Sequence, residues 1–399
     1  MEKITFCIPS KSNLRYLKTC IPSIRENAHR NDHDIIIFID ADEDGTQDWC
    51  EENHKKYNFK YYVNPKVGEE LYGIGKAYDF CVEKSETDIF MIFHADMMLG
   101  KDADLKAFEH LNKKSVVCST RIEPPIHPNA GEKILEDFGM WPEDFKRGEF
   151  DDYVTARLTD DKITNGIFAP WMMYKDEFLK IGGHDYMFRS AREDSDVFNR
   201  LSLAGFEFIQ PWNSLVYHLT GRGGQFQHGK VTQEHTEKSE EWQKLMNNST
   251  RDFIRKWGSQ VRHTDLMLPI VAPKYDIAFV AYNCNKEMLR ILEPWCGKIY
   301  LDLSDSDGMG EYKIEEQPNT DFDLDERIKL YGTNKISELH DICVEFDCNK
   351  LTNHRFHILT NLSAMLEDSG EIGEMEYDIF KLYISSLESY EKDYIVYAK

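Results

Sequence analysis

The sequence predicts a mixed α/β fold: a mostly parallel sheet with flanking helices, followed by a smaller C-terminal domain that is α/β or mainly helical. Three observations support this. Short apolar runs rich in β-branched and aromatic residues alternate with apolar residues at helical spacing through the first two thirds of the chain. At 399 residues, with 41% hydrophobic and 30% charged, the chain has material for one large domain and a smaller one. The longest apolar runs are about five residues, far short of the roughly 20 that span a bilayer.

The elements follow in order. Ile4 to Ile8 reads as the first strand, and Leu14, Leu17, Ile21 and Ile24 then recur at helical spacing. Ile35 to Ile39 is the second strand and Phe59 to Val63 the third. Ile74, Ala77, Tyr78, Cys81 and Val82 form one apolar helical face before the strand Ile89 to Phe93. Strand and helix alternating at this interval make parallel βαβ units, whose ligands collect outside the carboxyl ends of the strands. After Ser115 to Ser119 a Pro-rich, charged stretch from Glu123 to about Asp161 fits no regular sheet unit, and long irregular inserts are usually functional or mobile. Regular pattern returns at Ile167 and reaches Val216-Tyr217-His218 and a Gly-rich turn, Gly221-Arg222-Gly223-Gly224. A polar helical stretch from Glu234 to Trp257 stops at Gly258.

These patterns divide the chain into a first domain, 1–258, with 233–258 a helical extension, a linker 259–273, and an accessory domain 274–399. The last 130 residues hold 13 basic and 26 acidic side chains and contain no chemical motif. Ile277 to Ala281 and Ile299 to Leu303 read as strands there, and the later segments as mainly helical. This region is expected to contribute to a binding site, to mediate self-association as a homo-oligomer, or to act separately.

Composition narrows the function. With 48 basic against 71 acidic residues the formal charge is -23, which disfavours nucleic acid, since phosphate neutralisation needs Lys and Arg. The nine cysteines are scattered and include no Cys-x-x-Cys pair, so neither a disulfide framework nor a cysteine zinc site is indicated. The N-terminus runs into strand-like sequence without an apolar signal region, and a cytoplasmic location is expected.

Several side chains can carry chemistry. The second strand ends in Asp40, Asp42 and Asp44 followed by Gly45, and with Glu51 this satisfies the calcium-loop pattern. Such a loop leaves a helix, whereas this one leaves a strand, so a carboxylate cluster facing a nucleotide base or ribose is the better reading, beside a plain acidic turn. His94-Ala95-Asp96 follows the fourth strand, where a carboxylate is a hard ligand for Mg²⁺ or Mn²⁺ bridging substrate phosphates; a turn or helix cap is the simpler alternative. Ser190 and Glu193 are spaced as a capping box opening a helix. Asp194 is not needed for that box, so it is the better general base of the Glu193-Asp194 pair, against a favourable dipole contact in the first turn. His218, after another apolar run, is a packing residue or, with Asp96, a second metal ligand. Gly182-Gly183 permits a close backbone approach to substrate or only a tight turn.

Taken together and in this order, residues 3 to 258 resemble a family 2 glycosyltransferase of the GT-A fold. The resemblance is carried by Ile8-Pro9-Ser10, the Asp40/Asp42 cluster, Gly75-Lys76-Ala77, His94-Ala95-Asp96 in place of the family's metal-binding Asp-x-Asp, Gly182-Gly183, Glu193-Asp194, His218, and Phe253 to Gly258. It implies an inverting transfer of sugar from a nucleoside diphosphate donor, a UDP-sugar by preference, to a saccharide or other hydroxyl acceptor. Asp40 or Asp42 would read the base, flanked by Pro9, Ser10 and Lys11. Lys76 would lie near ribose or phosphate, with His94, Ala95, Gly182 and Gly183 also on the donor side. Asp96 and His218 would hold Mn²⁺ or Mg²⁺, Arg222 would add to the diphosphate clamp, and Asp194, with Glu193 next, would take the acceptor proton.

Two other classes remain as alternatives. A sugar-nucleotide nucleotidyltransferase needs a Gly-rich loop after the first strand, where this chain has Pro9-Ser10-Lys11-Ser12-Asn13. A non-catalytic nucleotide-sugar or glycan-binding protein predicts a missing base or metal ligand, and both Asp194 and Asp96 are present.

Overall fold

The protein is described by a computed structural model that covers residues 1–399 except 69, 128–130, 190, 221–239, 333–334, 391–395 and 397–399. It divides into two compact units, residues 1–245 with 262–270, and residues 246–261 with 271–399. The sequence placed the division after Gly258; here residues 246–257 of the helix Glu240–Trp257, with Ile254 in the core, belong to the second unit, and 262–270 of the expected linker to the first.

In the first unit an eight-stranded sheet runs in the order Lys60–Val63, Asp34–Ala41, Thr5–Lys11, Ile89–Ile92, Trp171–Tyr174, Ser115–Cys118, Glu207–Pro211, Ile163–Thr164. The first four pair in parallel. The three inner strands are largely apolar and buried, as Phe6, Ile8, Ile36, Phe38, Phe90 and Ile92 show, whereas the edge strand Lys60–Val63 is exposed to half-buried. Trp171–Tyr174 then enters antiparallel to both its neighbours.

At Ser119 the chain leaves this sheet. The residue on either side belongs to a different strand, Ser115–Cys118 in the large sheet and Thr120–Glu123 in a second, four-stranded one. The second sheet has the order Met97–Leu99, Leu215–His218, Thr120–Glu123, Ile134–Leu135. The insert after Glu123, expected to fit no sheet unit, therefore adds a two-residue strand here, paired in parallel with Ile122 and Glu123, and later a helix, Arg147–Thr155. Two apolar residues between charged ones were too short a run to announce a strand.

The second unit is α/β. Its six-stranded sheet has the order Ile328–Leu330, Lys298–Leu301, Ile277–Tyr282, Ile342–Asp347, Phe380–Ile384, Gly373–Tyr377, the first four parallel and the last two an antiparallel hairpin. Its later segments, expected to be mainly helical, supply four of these strands. The signal was present in Phe380, Leu382 and Ile384, buried and alternating with Lys381 and Tyr383 at the two-residue period of a strand.

A buried ionic network binds the helix Glu240–Trp257 into this unit. Fully buried Glu293 accepts from Arg255 Nε at 3.1 Å and Nη2 at 2.7 Å, from Arg327 Nε at 2.5 Å and from the Tyr312 hydroxyl at 2.9 Å. Burial would raise the Glu293 pKa, but the charges of Arg327 and Arg255 outweigh it and hold the carboxyl at about 2. The helix ends at Gly258 in the left-handed region, φ +68°, and its last carbonyls, Arg255 and Lys256, accept from Lys274 Nζ at 2.5 and 2.7 Å. Among the described residues no helix is long and apolar enough to cross a membrane.

Glu293→Ala would leave the buried Arg255 guanidinium short of its main counter-charge. We expect it to destabilise the second unit by about 3–5 kcal/mol, read as a lower urea midpoint; an unchanged midpoint would show that the network is energetically idle.

Candidate metal centre and its surroundings

The pairing register of the second sheet builds the centre. After Ile89–Ile92 the chain turns, with Met97 N donating to His94 O, and enters the strand Met97–Leu99. That strand pairs antiparallel with Leu215–His218, setting His218 opposite Met97, and Leu219 N donates to Asp96 O at 3.0 Å. Residues distant in sequence are thereby brought side by side. His218 Nε2 lies 3.6 Å from Asp96 Oδ1, and the rings of His94 and His218 meet edge to face at 5.8 Å.

One ligand atom from each of His94, Asp96 and His218 lies within 4.8 Å of the other two. Three ligands on an ion with bonds of about 2.1 Å stand about 3.0–3.6 Å apart, so the set has to contract somewhat to close on a cation. The donor chemistry fits as well: two imidazoles and one carboxylate suit a first-row divalent ion. Burial, with the positive fields of His218 and Arg121, lowers the His94 pKa to about 3, so that its ring is neutral and has a lone pair to offer.

Behind His218 stands a layer of charge that gives no sign of itself in the sequence. Glu123 Oε1 accepts from His218 Nδ1 at 2.9 Å and from Arg121 Nη1 at 3.0 Å, and its Oε2 accepts from Lys133 Nζ at 2.8 Å. Arg121 also donates to Glu132 Oε1 at 3.1 Å and lies over the Phe168 ring at 3.7 Å. Burial would raise the Glu123 pKa; the hydrogen bond from His218 and the charges of Arg121 and Lys133 outweigh it and keep the carboxyl well below its usual range.

Glu193 and Asp194 open the helix Glu193–Leu203, whose N-cap is Arg192 in the left-handed region, φ 72°. Glu193 is thus the first helical residue, not the third, and the expected capping box does not form; Ser190 lies outside the described residues. Asp194 Oδ1 accepts from Ser195 N at 2.6 Å. Glu193 Oε2 is sealed from solvent with no hydrogen-bond partner among the described residues, although the residue as a whole is half-buried. That burial, with the charge of Asp194, pushes its pKa up to about 8. The helix start borders the metal centre's surroundings. Glu193 Cβ packs 3.5 Å from where a Cβ on Gly75 would stand, and the hydroxyl of Tyr78, one turn on, is pushed up by burial and then by Glu193 and Asp96.

The remaining candidates are placed as follows. Asp40 is buried, its carboxylate accepting from Tyr72 N at 2.5 Å, Gly73 N at 3.1 Å and Asn64 Nδ2 at 3.0 Å. Asp42 accepts from Thr46 N at 2.8 Å and Gln47 N at 2.9 Å at the start of the helix Thr46–Tyr57. Burial opposes its ionisation, but the backbone N–H groups of Gln47 and Thr46 win, and its pKa is lowered. Asp44 accepts from Leu14 N at 2.8 Å. Pro9, Ser10 and Lys11 close the first strand opposite Phe38, Ile39 and Ala41, and the buried Ser10 Oγ has no hydrogen-bond partner among the described residues. Lys76 Nζ lies over the rings of Tyr72 and Tyr186 at 4.5 and 5.5 Å. Ala95 is buried between His94 and Asp96. Arg222 lies outside the described residues.

Gly182 and Gly183 make a tight turn that brings backbone close to a carboxylate of the chain itself. A Cβ on Gly183, φ +62°, would stand 2.4 Å from Asp79 Oδ2, and Asp79 accepts from the next residue's N–H at 3.0 Å and pairs with His184 Nδ1 at 2.7 Å.

Residues 5–181 match the model of glycosyl transferase family 2, and the C-terminal region matches no family model. No curated protein sequence matches the chain. Among solved structures it is similar to S. aureus TarS at 13% identity and a TM-score of 0.40, over 54% of this chain and 36% of that one. It is similar to the mannosyltransferase PcManGT from Pyrobaculum calidifontis in complex with GDP-Man and Mn²⁺ at 15% identity and a TM-score of 0.39, over 56% of this chain and 58% of that one. To GalNAc-T7 with UDP, GalNAc and Mn²⁺ the figures are 11%, 0.45, 64% and 48%. The chain thus spans between about a third and three fifths of these structures' own lengths.

Two outcomes are expected. Gly183→Ala forces a strained φ against Asp79 and costs about 1–3 kcal/mol, measured by thermal or urea unfolding; wild-type stability would mean the turn relaxes freely. For Glu193, a folded pKa of about 8 against about 4.5 unfolded means the folded state holds the extra proton between those values. Its contribution therefore falls as pH rises through that window, with the full cost present above about pH 8. Glu193→Gln should be relatively more stable at pH 8.5 than at pH 5; the same difference at both would remove the buried charge from the account.

Proposed function

We propose, from the match of residues 5–181 to the glycosyl transferase family 2 model, that the protein is an inverting, metal-dependent glycosyltransferase that moves a sugar from a nucleoside diphosphate donor to an acceptor hydroxyl. The observation that carries this is the convergence of His94, Asp96 and His218 just beyond the carboxyl end of a central parallel strand, where α/β sheets collect their ligands.

His94, Asp96 and His218 would hold the cation. When bound, it offsets the negative charge that develops on the departing nucleoside diphosphate without needing a proton. Two imidazoles in the set favour Mn²⁺ over Mg²⁺, which prefers oxygen. Lys76, standing between Tyr72 and Tyr186, meets ribose or phosphate, with Arg222 adding to the clamp. Asp42 or Asp40 serves the base of a UDP-sugar beside Pro9, Ser10 and Lys11. Because Asp40 is engaged by the backbone of Tyr72 and Gly73, its part runs through the loop that leads into the Lys76 helix. The Gly182-Gly183 turn works the same way, through Asp79 and His184.

Asp194 is the general base. It takes the acceptor's hydroxyl proton as the oxygen attacks the anomeric carbon from the face opposite the leaving group. Its neighbour Glu193, in the sealed environment that raises its pKa to about 8, holds its own proton at neutral pH and is the poorer base. The nine free and buried thiols agree with a reducing, cytoplasmic setting.

Release of nucleoside diphosphate from a panel of UDP-, GDP- and other nucleotide sugars should require Mn²⁺, run more slowly with Mg²⁺ and vanish in Asp96→Ala. Turnover undiminished by EDTA contradicts the metal assignment. Asp194→Asn should keep donor affinity and lose transfer by roughly 10² to 10⁴-fold; unchanged transfer would move the base elsewhere.

A further inference from the structure

We propose that Glu123 is a positioning residue for the metal centre: it fixes His218 in the tautomer and orientation that present Nε2 to the cation, and is itself pinned by Arg121 and Lys133. This rests on the metal-site reading above and extends it to a residue that touches neither cation nor substrate.

The geometry comes from strand register. Thr120–Glu123 pairs in parallel with Leu215–His218, setting Val216 beside Arg121 and Tyr217 beside Ile122, so the next step along both strands brings His218 to Glu123. Residues two apart on a strand share a face, so Arg121 and Glu123 lie on the side that His218 uses. An imidazole has two nitrogens, and a hydrogen bond at one decides what the other can do. Glu123 accepts at 2.9 Å from His218 Nδ1, which must therefore carry the proton, leaving the Nε2 lone pair directed to the side of Asp96, 3.6 Å away.

A carboxylate can do this only if it cannot turn away. Both Glu123 oxygens are held, Oε1 by Arg121 at 3.0 Å and Oε2 by Lys133 at 2.8 Å, and all three side chains are buried. Arg121 is fixed in turn by Glu132 and by the Phe168 ring. Arg121 and Lys133 also face Glu132, at 3.1 and 3.9 Å, so the network pairs two cations with two carboxylates. In Glu123 they hold an acceptor whose third contact is a metal-ligand candidate. His94 has no comparable partner among the described residues, so the orienting device is specific to His218. The insert after Glu123, which supplies Glu132 and Lys133, thereby becomes part of the metal centre's support.

Mn²⁺ binding to the full-length chain, measured by calorimetry without donor, tests this. Glu123→Gln keeps the shape but offers an amide that can present either end to His218, and its Mn²⁺ dissociation constant should rise by about 10- to 100-fold over wild type, with Glu123→Asp recovering part of the loss. A merely structural Glu123 would lower the melting temperature and leave that constant alone. Should Glu123→Gln fail to fold, ¹⁵N NMR of the wild-type apoprotein decides, with His218 assigned by loss of its signals in His218→Ala: a proton on Nδ1 supports the inference, and an Nδ1 without a proton overturns it. Wild-type Mn²⁺ affinity in folded Glu123→Gln overturns this inference alone. No Mn²⁺ binding by the wild type overturns the metal-site reading, and this inference with it.

Discussion

The register of a four-stranded sheet governs this protein's chemistry. Met97–Leu99, Leu215–His218 and Thr120–Glu123 are three or four residues each, yet their pairing sets Met97 opposite His218 and brings His218 to Glu123, with Asp96 just before the first of these strands. A one-residue slip in a strand turns every side chain to the opposite face. It would take His218 from both Asp96 and Glu123 together. The apolar core beneath, with Met98, Ile122, Leu215 and Tyr217 buried in one cluster, resists such a slip, because the same register that assembles the polar set also buries these four. Packing and site geometry are thus specified by one set of contacts.

The two sheets of the first unit divide the work. The parallel strands of the large sheet deliver chain ends to one edge, as they do in α/β folds generally. The small sheet, entered at Ser119 and again after Phe93, bends two of those chain ends toward each other. Around it, acidic groups are used up by backbone: Asp40 by Tyr72 and Gly73, Asp42 by Thr46 and Gln47, Asp79 by His184. Carboxylates that fix loops in this way give up free charge for backbone order. Ser10 in the first strand and Glu193 at the start of the helix Glu193–Leu203 are two of the seven residues that keep a buried side-chain polar atom without a hydrogen-bond partner among the described residues.

Much of the first unit is legible in the sequence, because fully apolar strands and amphipathic helices alternate there with little ambiguity. Asp96 and His218 are legible as candidates for the same reason, each standing at the close of an apolar run. Glu123, Arg121 and Lys133 are not: they are charged residues at the mouth of a Pro-rich insert, and only cross-strand pairing shows that they are buried. The capping-box spacing of Ser190 and Glu193 misled because Arg192 adopts a left-handed conformation and starts the helix later. In the second unit the period-two pattern of Phe380, Leu382 and Ile384 was readable in principle. The helix Glu240–Trp257 could not be assigned from sequence, since its membership depends on Glu293 meeting Arg255.

The claim on which everything else depends is that His94, Asp96 and His218 close on a single cation. Pulsed electron paramagnetic resonance of the Mn²⁺-loaded chain addresses it without substrate or turnover. The account predicts nitrogen modulation from two imidazoles, one lost in His94→Ala and the other in His218→Ala. A bound ion that shows only oxygen ligands, or nitrogen signals untouched by either substitution, would contradict it.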